Sequence, residues 1–344
     1  MVTYVLDGKS KAHLPKRPLM VTMSVVGVPG SAALDVRRGG ASDPSVIAHS
    51  PGMLILPRVE HEMLLVAVPA QGNSTFPSGT TLHVSVAVDS SQDLDPDRAQ
   101  LTPRDVSGLS YLELATIGPD GDRIAVVTRL EEPEVELGPL ASLARAAARS
   151  VLRVDQLSDS QQTMLDVRVD SSASMLPAIA DGSVRAILDI LAGISTVISY
   201  DRQPKVSIIG TRSEAPSFDT AGDLAESVQQ QLADTLPGVG FGTGEQFGEA
   251  QPDSMIVLVT DSATDSIVSE HESANSHFAT MIASPSRAAL RAPTFAGAVV
   301  SPAPDGTDTS EYLIANRHEV DTIVESFLQQ LTGRIAADVR GSTQ

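Results

Sequence analysis

The chain has 344 residues, enough for about two domains that each bury a core of their own. With 43 acidic against 24 basic residues its formal net charge is -19, which argues against nucleic acid as a partner and leaves carboxylates available for hard cations. There is no cysteine, which excludes disulfides and thiolate chemistry, and no apolar run of transmembrane length, so we expect a cytoplasmic protein.

Short apolar runs separated by Gly, Pro, Ser and Asp fill the first part of the chain. In TLHVSVAVD (81-89) apolar side chains alternate with polar ones, which is the period of a half-buried strand. Strand-length runs at this spacing predict a β-sandwich over 1-152, with a helix at 140-152 as its last element. Residues 153-163 contain few apolar side chains and are predicted to be a linker. The runs lie at 18-28, 52-59, 62-70, 81-89, 109-117 and 122-130.

The remaining sequence alternates strand-like and helix-like segments. Strand, helix, strand, helix with strongly apolar strands predicts a mostly parallel sheet covered on both faces, which we assign to 164-338, with 339-344 as a tail. Predicted strands lie at 164-169, 205-210, 255-260 and 277-284, and predicted helices at 183-199, 223-236 and 319-339.

Two carboxylates directly follow strands of this predicted sheet. Asp170 comes after the strand 164-169, and Asp261 comes after the strand 255-260. Sheets of this type bind ligands just beyond the carboxyl ends of their strands. The glycine-rich loop GVGFGTGEQ (238-246) carries Thr243 and could approach the same edge.

The segment VRVDSSASM places three hydroxyl-bearing residues behind the first of these carboxylates. In Asp170-x-Ser172-x-Ser174, alternate residues of a tight loop can point to one side. Together with Thr243 and Asp261 they form a set of hard oxygen donors, for which Mg²⁺, or Mn²⁺ and Ca²⁺ as substitutes, is the expected ion. Only two of the donors are charged, so we expect the ion to keep a coordination position for a carboxylate of a partner.

This pattern resembles the metal-ion-dependent adhesion site of von Willebrand factor A domains. That site consists of Asp-x-Ser-x-Ser, a distant Thr in a glycine-rich loop, and an Asp at the end of a later strand. The resemblance implies a Rossmann-like α/β fold in which the Ser and Thr hydroxyls bind the metal and a partner's acidic side chain completes its coordination. The sequence departs from the family at Ala173 and Ser262, where Gly is usual.

The stretch 170-210 is also similar to the A domain of tellurium-resistance proteins of the TerF-like type. Those proteins carry a TerD-like β-sandwich ahead of the A domain, and the first 150 or so residues resemble a degenerate copy of it. TerD-like domains bind calcium at an Asp-Leu-Asp-x-Ser segment, which here reads Ala33-Leu34-Asp35-Val36-Arg37. Because Asp35 alone cannot provide the six to eight oxygens that Ca²⁺ takes, we predict that this calcium site is lost.

The expected function is therefore a non-enzymatic, metal-dependent protein-interaction module of a bacterial tellurium-resistance or stress-response system. One alternative is a metal-assisted hydrolase in which Asp261 or Asp265 is the base. Another is a scaffold that has lost metal binding. Nucleotide binding is not expected, because Glu245 and Gln246 follow the glycine-rich loop where a Walker motif has Lys and Ser or Thr.

Overall fold

The computed structural model describes residues 3–8, 10–89, 97–129, 135–158, 161–210, 215–218, 220–234, 253–265, 267, 269, 278–284 and 297–341. The chain divides into two compact units, Met1–Glu134 and Val135–Gln344. The predicted linker, 153-163, and the helix before it therefore both lie in the second unit. In the described part of the chain no helix combines the length and the apolar character needed to cross a membrane.

The first unit is built from short strands. Each of the six apolar runs noted in the sequence overlaps one of them. The strands are β1 Thr3–Leu6, β2 Lys11–Pro15, β3 Leu19–Val26, β4 Ala32–Arg38, β5 Ala41–Ser42, β6 Ile47–Ser50, β7 Met53–Leu56, β8 Met63–Pro69, β9 Thr81–Val88, β10 Arg98–Leu101, β11 Arg104–Asp105, β12 Leu112–Asp120 and β13 Arg123–Thr128.

These strands form two sheets. One runs β1-β10-β9-β3-β7-β6 with β11 also paired to β9, and the other runs β2-β13-β12-β8-β4-β5. The second sheet is antiparallel throughout, whereas the first contains a parallel pair, β1 with β10. Alternate side chains along the strands are buried and form one apolar cluster that includes Leu19, Leu65, Val86 and Leu114. Every second side chain of a strand points to the same face, so burial of one face produces an alternation of apolar and polar residues, and that alternation predicts a strand.

The second unit contains a parallel sheet and helices. The strands are β14 Met164–Asp170, β15 Lys205–Ile209, β16 Ser254–Thr260, β17 Phe278–Ala283 and β18 Gly297–Val300, and the helices are α1 Pro139–Leu152, α2 Leu176–Ala180, α3 Ser183–Ile198, α4 Leu224–Asp234, α5 Thr309–Ala315 and α6 Arg317–Gly341. The strands lie in the order β15-β14-β16-β17-β18, and every pair is parallel. The predicted helices at 183-199, 223-236 and 319-339 are confirmed within two residues at each end.

One face of this sheet shares its core with the helices. Val167 and Val257 of the central strands belong to the same buried cluster as Ala144 of α1, Ile187 of α3 and Phe327 of α6. The opposite face of β14 is polar, because Asp166, Arg168 and Asp170 alternate with the apolar residues of the strand. The helices stabilise the sheet chiefly through the apolar area that this first face removes from water.

The predicted fold class, an N-terminal TerD-like β-sandwich followed by a Rossmann-like α/β von Willebrand factor A domain, is wrong. The described residues form instead a mixed fold of three sheets and six helices, in which neither part is clearly present. The described residues of the first part form thirteen strands, with a parallel pair at one edge, where six apolar runs had predicted a TerD-like β-sandwich. In the second part β14, which lies between β15 and β16, carries polar residues on one face, whereas the strands of a doubly wound sheet are buried on both faces and strongly apolar. The parallel sheet itself was correctly predicted.

Candidate metal site at the edge of the parallel sheet

The parallel sheet has one switch point, at which the strand order reverses. From β14 the chain first enters β15 on one side, and later returns to β16 on the other side of β14. In open α/β sheets, ligands bind beyond the carboxyl ends of the strands that flank such a switch point. Asp170 is the last residue of β14 and Asp261 follows β16 directly. Since Val169 is in register with Val259, the topology brings both carboxylates to this edge.

Asp170 is held firmly by its surroundings. Asp170 is buried, with only 1% of the residue exposed to solvent. Its Oδ1 accepts a hydrogen bond of 2.7 Å from the backbone N–H of Ser172, and its Oδ2 accepts one of 3.1 Å from the hydroxyl of Thr260. The two bonds fix the orientation of the carboxylate, because each engages a different oxygen.

The electrostatic environment of Asp170 favours a positive charge. Burial raises the pKa of this carboxyl above its ordinary value, and the nearby carboxylate of Asp261 raises it further. The hydrogen bonds from Ser172 and Thr260 act in the opposite direction but do not cancel the effect of burial. A cation at this edge would offset both causes, because it would replace lost hydration and neutralise the repulsion between the two carboxylates.

The serines behind Asp170 face in two directions. The hydroxyls of Ser172 and Ser174 lie 3.0 Å apart, with Ser172 buried and Ser174 exposed in the middle of the turn Ala173–Met175. The hydroxyl of Ser171 donates instead to the carbonyl oxygen of Ile209 at 3.0 Å. Ser172 and Ser174 therefore form a pair of adjacent oxygen donors, while Ser171 joins the loop to the end of β15.

The second carboxylate lies closer to solvent than the first. Asp261 is half-buried, and its Oδ1 accepts a hydrogen bond of 3.4 Å from the hydroxyl of the exposed Ser262. Asp265, the other residue considered as a base, is exposed. Thr243 and the whole glycine-rich loop lie outside the described residues, so the prediction that Thr243 is a ligand stays a prediction.

Two features of this edge were not predicted from the sequence. Thr260, which is 1% exposed, donates to Asp170, yet in MIVLVT it reads as the last residue of an apolar strand. Arg168 and Asp166 form an ion pair of 2.7 Å on the face of β14 that also carries Asp170. The alternation L-D-V-R-V-D was visible in the sequence and could have revealed this polar face.

The donors present at this edge fit a small divalent cation. Asp170, Ser172, Ser174 and Asp261 offer only carboxylate and hydroxyl oxygens, which are the donors that Mg²⁺ and Ca²⁺ take. Across the described ranges, no group of three or more His, Cys, Asp and Glu side chains is placed so that it could hold a metal. A site here must therefore rely on serine hydroxyls and water in addition to two carboxylates.

Comparisons with known proteins do not assign this chain to a family. No family model matches the chain, and no curated protein matches it. Among solved structures, proximal thread matrix protein 1 from the mussel byssus is similar with a TM-score of 0.29 and 17% identity, over 48% of this chain and 48% of that one. Human GIVD cytosolic phospholipase A2 is similar with a TM-score of 0.13 and 8% identity, over 58% of this chain and 46% of that one. Likenesses at this level support no argument about fold or function.

Proposed function

We propose that this protein is a non-enzymatic, cytoplasmic interaction module that binds a divalent cation at the edge of its parallel sheet. The ion is Mg²⁺, with Mn²⁺ or Ca²⁺ as substitutes, and it holds an acidic side chain of a partner protein. The observation that supports this is the pair of hydroxyls of Ser172 and Ser174, 3.0 Å apart, beside a buried carboxylate whose pKa is raised by burial and by Asp261.

The small number of charges at the site supports a partner carboxylate as the last ligand. Asp170 and Asp261 are the two charged donors of the proposed site, whereas Ser172 and Ser174 offer uncharged hydroxyls. Both oxygens of Asp170 already accept hydrogen bonds from Ser172 and Thr260. The ion would therefore keep part of its positive field toward solvent, and an acidic side chain from another protein would satisfy it.

The biological setting that we propose comes from sequence resemblance. The stretch 170-210 is similar to tellurium-resistance proteins of the TerF-like type, which favours a role in a bacterial tellurium-resistance or stress-response system. The net charge of -19 is unfavourable for nucleic acid, and the glycine-rich loop lacks the Lys of a nucleotide-binding motif. The partner that we propose is accordingly a protein.

Titration of the full chain with Mn²⁺, followed by electron paramagnetic resonance or calorimetry, tests the metal site. Ser174→Ala removes an exposed candidate ligand and should weaken Mn²⁺ binding by about tenfold or more. Ser171→Ala is the matched control, because its hydroxyl bonds to Ile209 and not to the Ser172–Ser174 pair. Asp261→Asn should weaken binding as Ser174→Ala does. If the unmodified chain does not bind Mn²⁺, or if Ser171→Ala weakens binding equally, the proposed site is wrong.

The interaction itself is tested by retention of a partner from native extract on the immobilised full chain. Retention should require Mg²⁺, be abolished by chelator and be weakened by Ser174→Ala but not by Ser171→Ala. The same protein is incubated with nitrophenyl esters and phosphates in the presence of Mn²⁺. Turnover that disappears in Asp261→Asn would support the hydrolase and contradict the interaction module.

A further inference from the structure

A second charged site lies in the first unit, on the face of the antiparallel sheet that does not contribute to the core. It is a cleft with a volume of about 290 Å³ above strands β4, β8 and β12. Arg37, Leu64 and Thr116 form one row across these strands, because Leu64 is in register with both of the others. The charged and aromatic side chains that line the cleft are Arg37, Arg38, Arg129, Glu62, Glu113 and Tyr111.

Three guanidinium groups converge on this cleft in a chain that is strongly acidic overall. Each is held through its Nε. Arg37 Nε lies 3.1 Å from Asp35 Oδ2, Arg38 Nε lies 3.4 Å from Asp43 Oδ2, and Arg129 Nε donates to Thr116 Oγ1 at 2.9 Å. These contacts orient the side chains, and within the described residues the terminal nitrogens of Arg37 and Arg38 donate no hydrogen bond.

The terminal nitrogens of the third guanidinium, that of Arg129, are also available to bind a ligand. Among the described residues, the carboxylate that lies near Arg129 is that of Glu113, at 4.0 Å from Nη1, which is beyond hydrogen-bond length. About half of the side chain of Arg129 is exposed, at 51%, and Arg38 is similar at 48%. A guanidinium presents its terminal N–H groups as a planar fork that matches the oxygens of a phosphate or carboxylate. The cleft thus combines oriented forks with access from solvent.

The other lining residues add an apolar surface and acceptors. The guanidinium of Arg37 lies over the ring of Tyr111, 4.8 Å from its centroid, which fixes both groups. Burial raises the pKa of the Tyr111 hydroxyl, and the charge of Glu113 raises it further, so this hydroxyl stays protonated. Glu62 and Glu113 cannot donate when ionised and can only accept hydrogen bonds.

We propose that this cleft binds a small phosphomonoester that carries hydroxyl groups. The forks of Arg37, Arg38 and Arg129 bind the phosphate, whose three terminal oxygens accept from several directions, whereas a planar carboxylate is satisfied by one fork. Glu62 and Glu113 accept from hydroxyl groups of the ligand, and its carbon skeleton packs on Tyr111. The volume is at the lower end for small-molecule sites, roughly 300–1,000 Å³, which limits the ligand to a small metabolite.

The binding of a phosphate here depends on the orientation of the guanidiniums. The lining has three guanidiniums and two carboxylates, and Asp35 and Asp43 also lie against the Nε atoms of Arg37 and Arg38. Positive and negative charges therefore balance to within one, and the terminal N–H groups that point away from Asp35 and Asp43 are the groups that would bind the phosphate. The distant acidic residues have little influence, because charges separated by more than about 8 Å in water are screened at physiological ionic strength. This inference does not depend on the proposed metal site, since all of its residues lie in the first unit.

Calorimetry of the full chain in phosphate-free buffer with chelator tests this proposal, with glycerol 3-phosphate, inorganic phosphate, acetate and glycerol as probes. Glycerol 3-phosphate should bind most tightly, and glycerol should not bind measurably. Arg129→Gln should weaken glycerol 3-phosphate binding by about tenfold, the loss expected for one charged fork. Arg58→Gln is the matched control in the same unit, since Arg58 is 83% exposed and lies outside the cleft.

Arg38→Gln and Arg37→Lys extend the test at positions with different burial. Arg38→Gln should lose about as much affinity as Arg129→Gln, and Arg37→Lys should lose part of it because it keeps the charge but not the fork. Thermal melting of each variant establishes that it folds. Acetate binding more tightly than phosphate, absence of phosphomonoester binding, or an equal loss in Arg58→Gln would each overturn the proposal.

Discussion

The two candidate sites of this protein hold their charged groups in opposite ways. At the edge of the parallel sheet Asp170 is almost completely buried and both of its oxygens accept hydrogen bonds from neighbouring residues. In the arginine-lined cleft the side chains of Arg38 and Arg129 are about half exposed and that of Arg37 is 33% exposed, and each is held through its Nε. A buried charge is coupled to the stability of the fold, whereas an exposed one contributes little to it. Substitutions in the second unit should therefore change stability more than comparable substitutions in the first.

The largest effect is expected where helices α1 and α3 approach each other most closely. A Cβ added to Gly193 would lie 2.1 Å from the carbonyl oxygen of Ala141 and 2.9 Å from the Cβ of Ala144. The helix would gain about 1 kcal/mol from replacing Gly by Ala, but the backbone contact forces the helices apart. Gly193→Ala should lower the free energy of unfolding of the second unit by about 3 kcal/mol, measured by urea denaturation.

Gly138→Ala is the control for this prediction. Gly138 precedes α1, and a Cβ added there would meet no atom within 4 Å. This variant should unfold at nearly the same urea concentration as the unmodified chain. If Gly193→Ala is equally harmless, the close packing of α1 on α3 is wrong.

A pH-dependent effect of intermediate size is expected from a half-buried carboxylate on α3. The pKa of Asp189 is raised to about 6, chiefly by burial and to a smaller extent by the carboxylate of Asp308, while Arg185 opposes the shift. In the unfolded chain the pKa returns to about 3.9. Between pH 4 and 6 the folded protein therefore binds more protons than the unfolded one, so the free energy of unfolding falls as the pH rises. The total loss is on the order of 2 kcal/mol.

Asp189→Asn should remove the part of the pH dependence of the free energy of unfolding that Asp189 causes. The variant should be about as stable as the unmodified chain at pH 4 and more stable by about 2 kcal/mol at pH 7.5, as measured by urea denaturation at both values. Asp201→Asn, at an exposed position, should leave the difference between the two pH values unchanged. A variant that is less stable at pH 7.5 than the unmodified chain would show that Asp189 is stabilised in its charged form.

A matched pair of threonines compares the two sites directly. Thr260→Val removes the hydroxyl that donates to the buried Asp170 and keeps the shape of the side chain. Thr116→Val removes the hydroxyl that accepts from the exposed Arg129. The first change should cost about 1.5 kcal/mol, because a buried charge loses a donor, and the second less than about 0.5 kcal/mol, because water replaces the hydroxyl. Equal shifts in the denaturation midpoint would contradict the contrast between buried and exposed charges.

The sequence predicted the parts of the molecule that depend on local pattern. The strand before Asp170 and the strand before Asp261 were placed correctly, since each is a short apolar run with a clear end. The helix at Ser183–Ile198 was also placed, because its apolar residues recur at helical spacing. The edge strand β2, with sequence KAHLP, was missed because it is short and carries two polar residues.

Features that depend on register between distant segments could not be predicted. Arg37, Tyr111 and Arg129 are far apart in sequence and meet only because β4, β8, β12 and β13 pair in one particular register. The contact between Thr260 and Asp170 likewise depends on the alignment of β14 with β16. A shift of one residue in either pairing would move these side chains to the other face. Pattern within a segment gives no information on that alignment.

The smallest expected effect concerns a turn beside the arginine-lined cleft. Gly39 lies between β4 and β5 with φ of 60°, and a Cβ added to it would meet no atom within 4 Å. Glycine is required at position 39 because of its positive φ, whereas it is required at position 193 because a side chain there would meet the backbone of α1. Gly39→Ala should therefore cost about 1 kcal/mol, the strain of an ordinary residue in the left-handed region. Gly39→Asn should cost less, because Asn tolerates that region better. Denaturation of both variants should give the order Gly, Asn, Ala. An Asn variant less stable than the Ala variant would mean that the turn is limited by space and not by its backbone conformation.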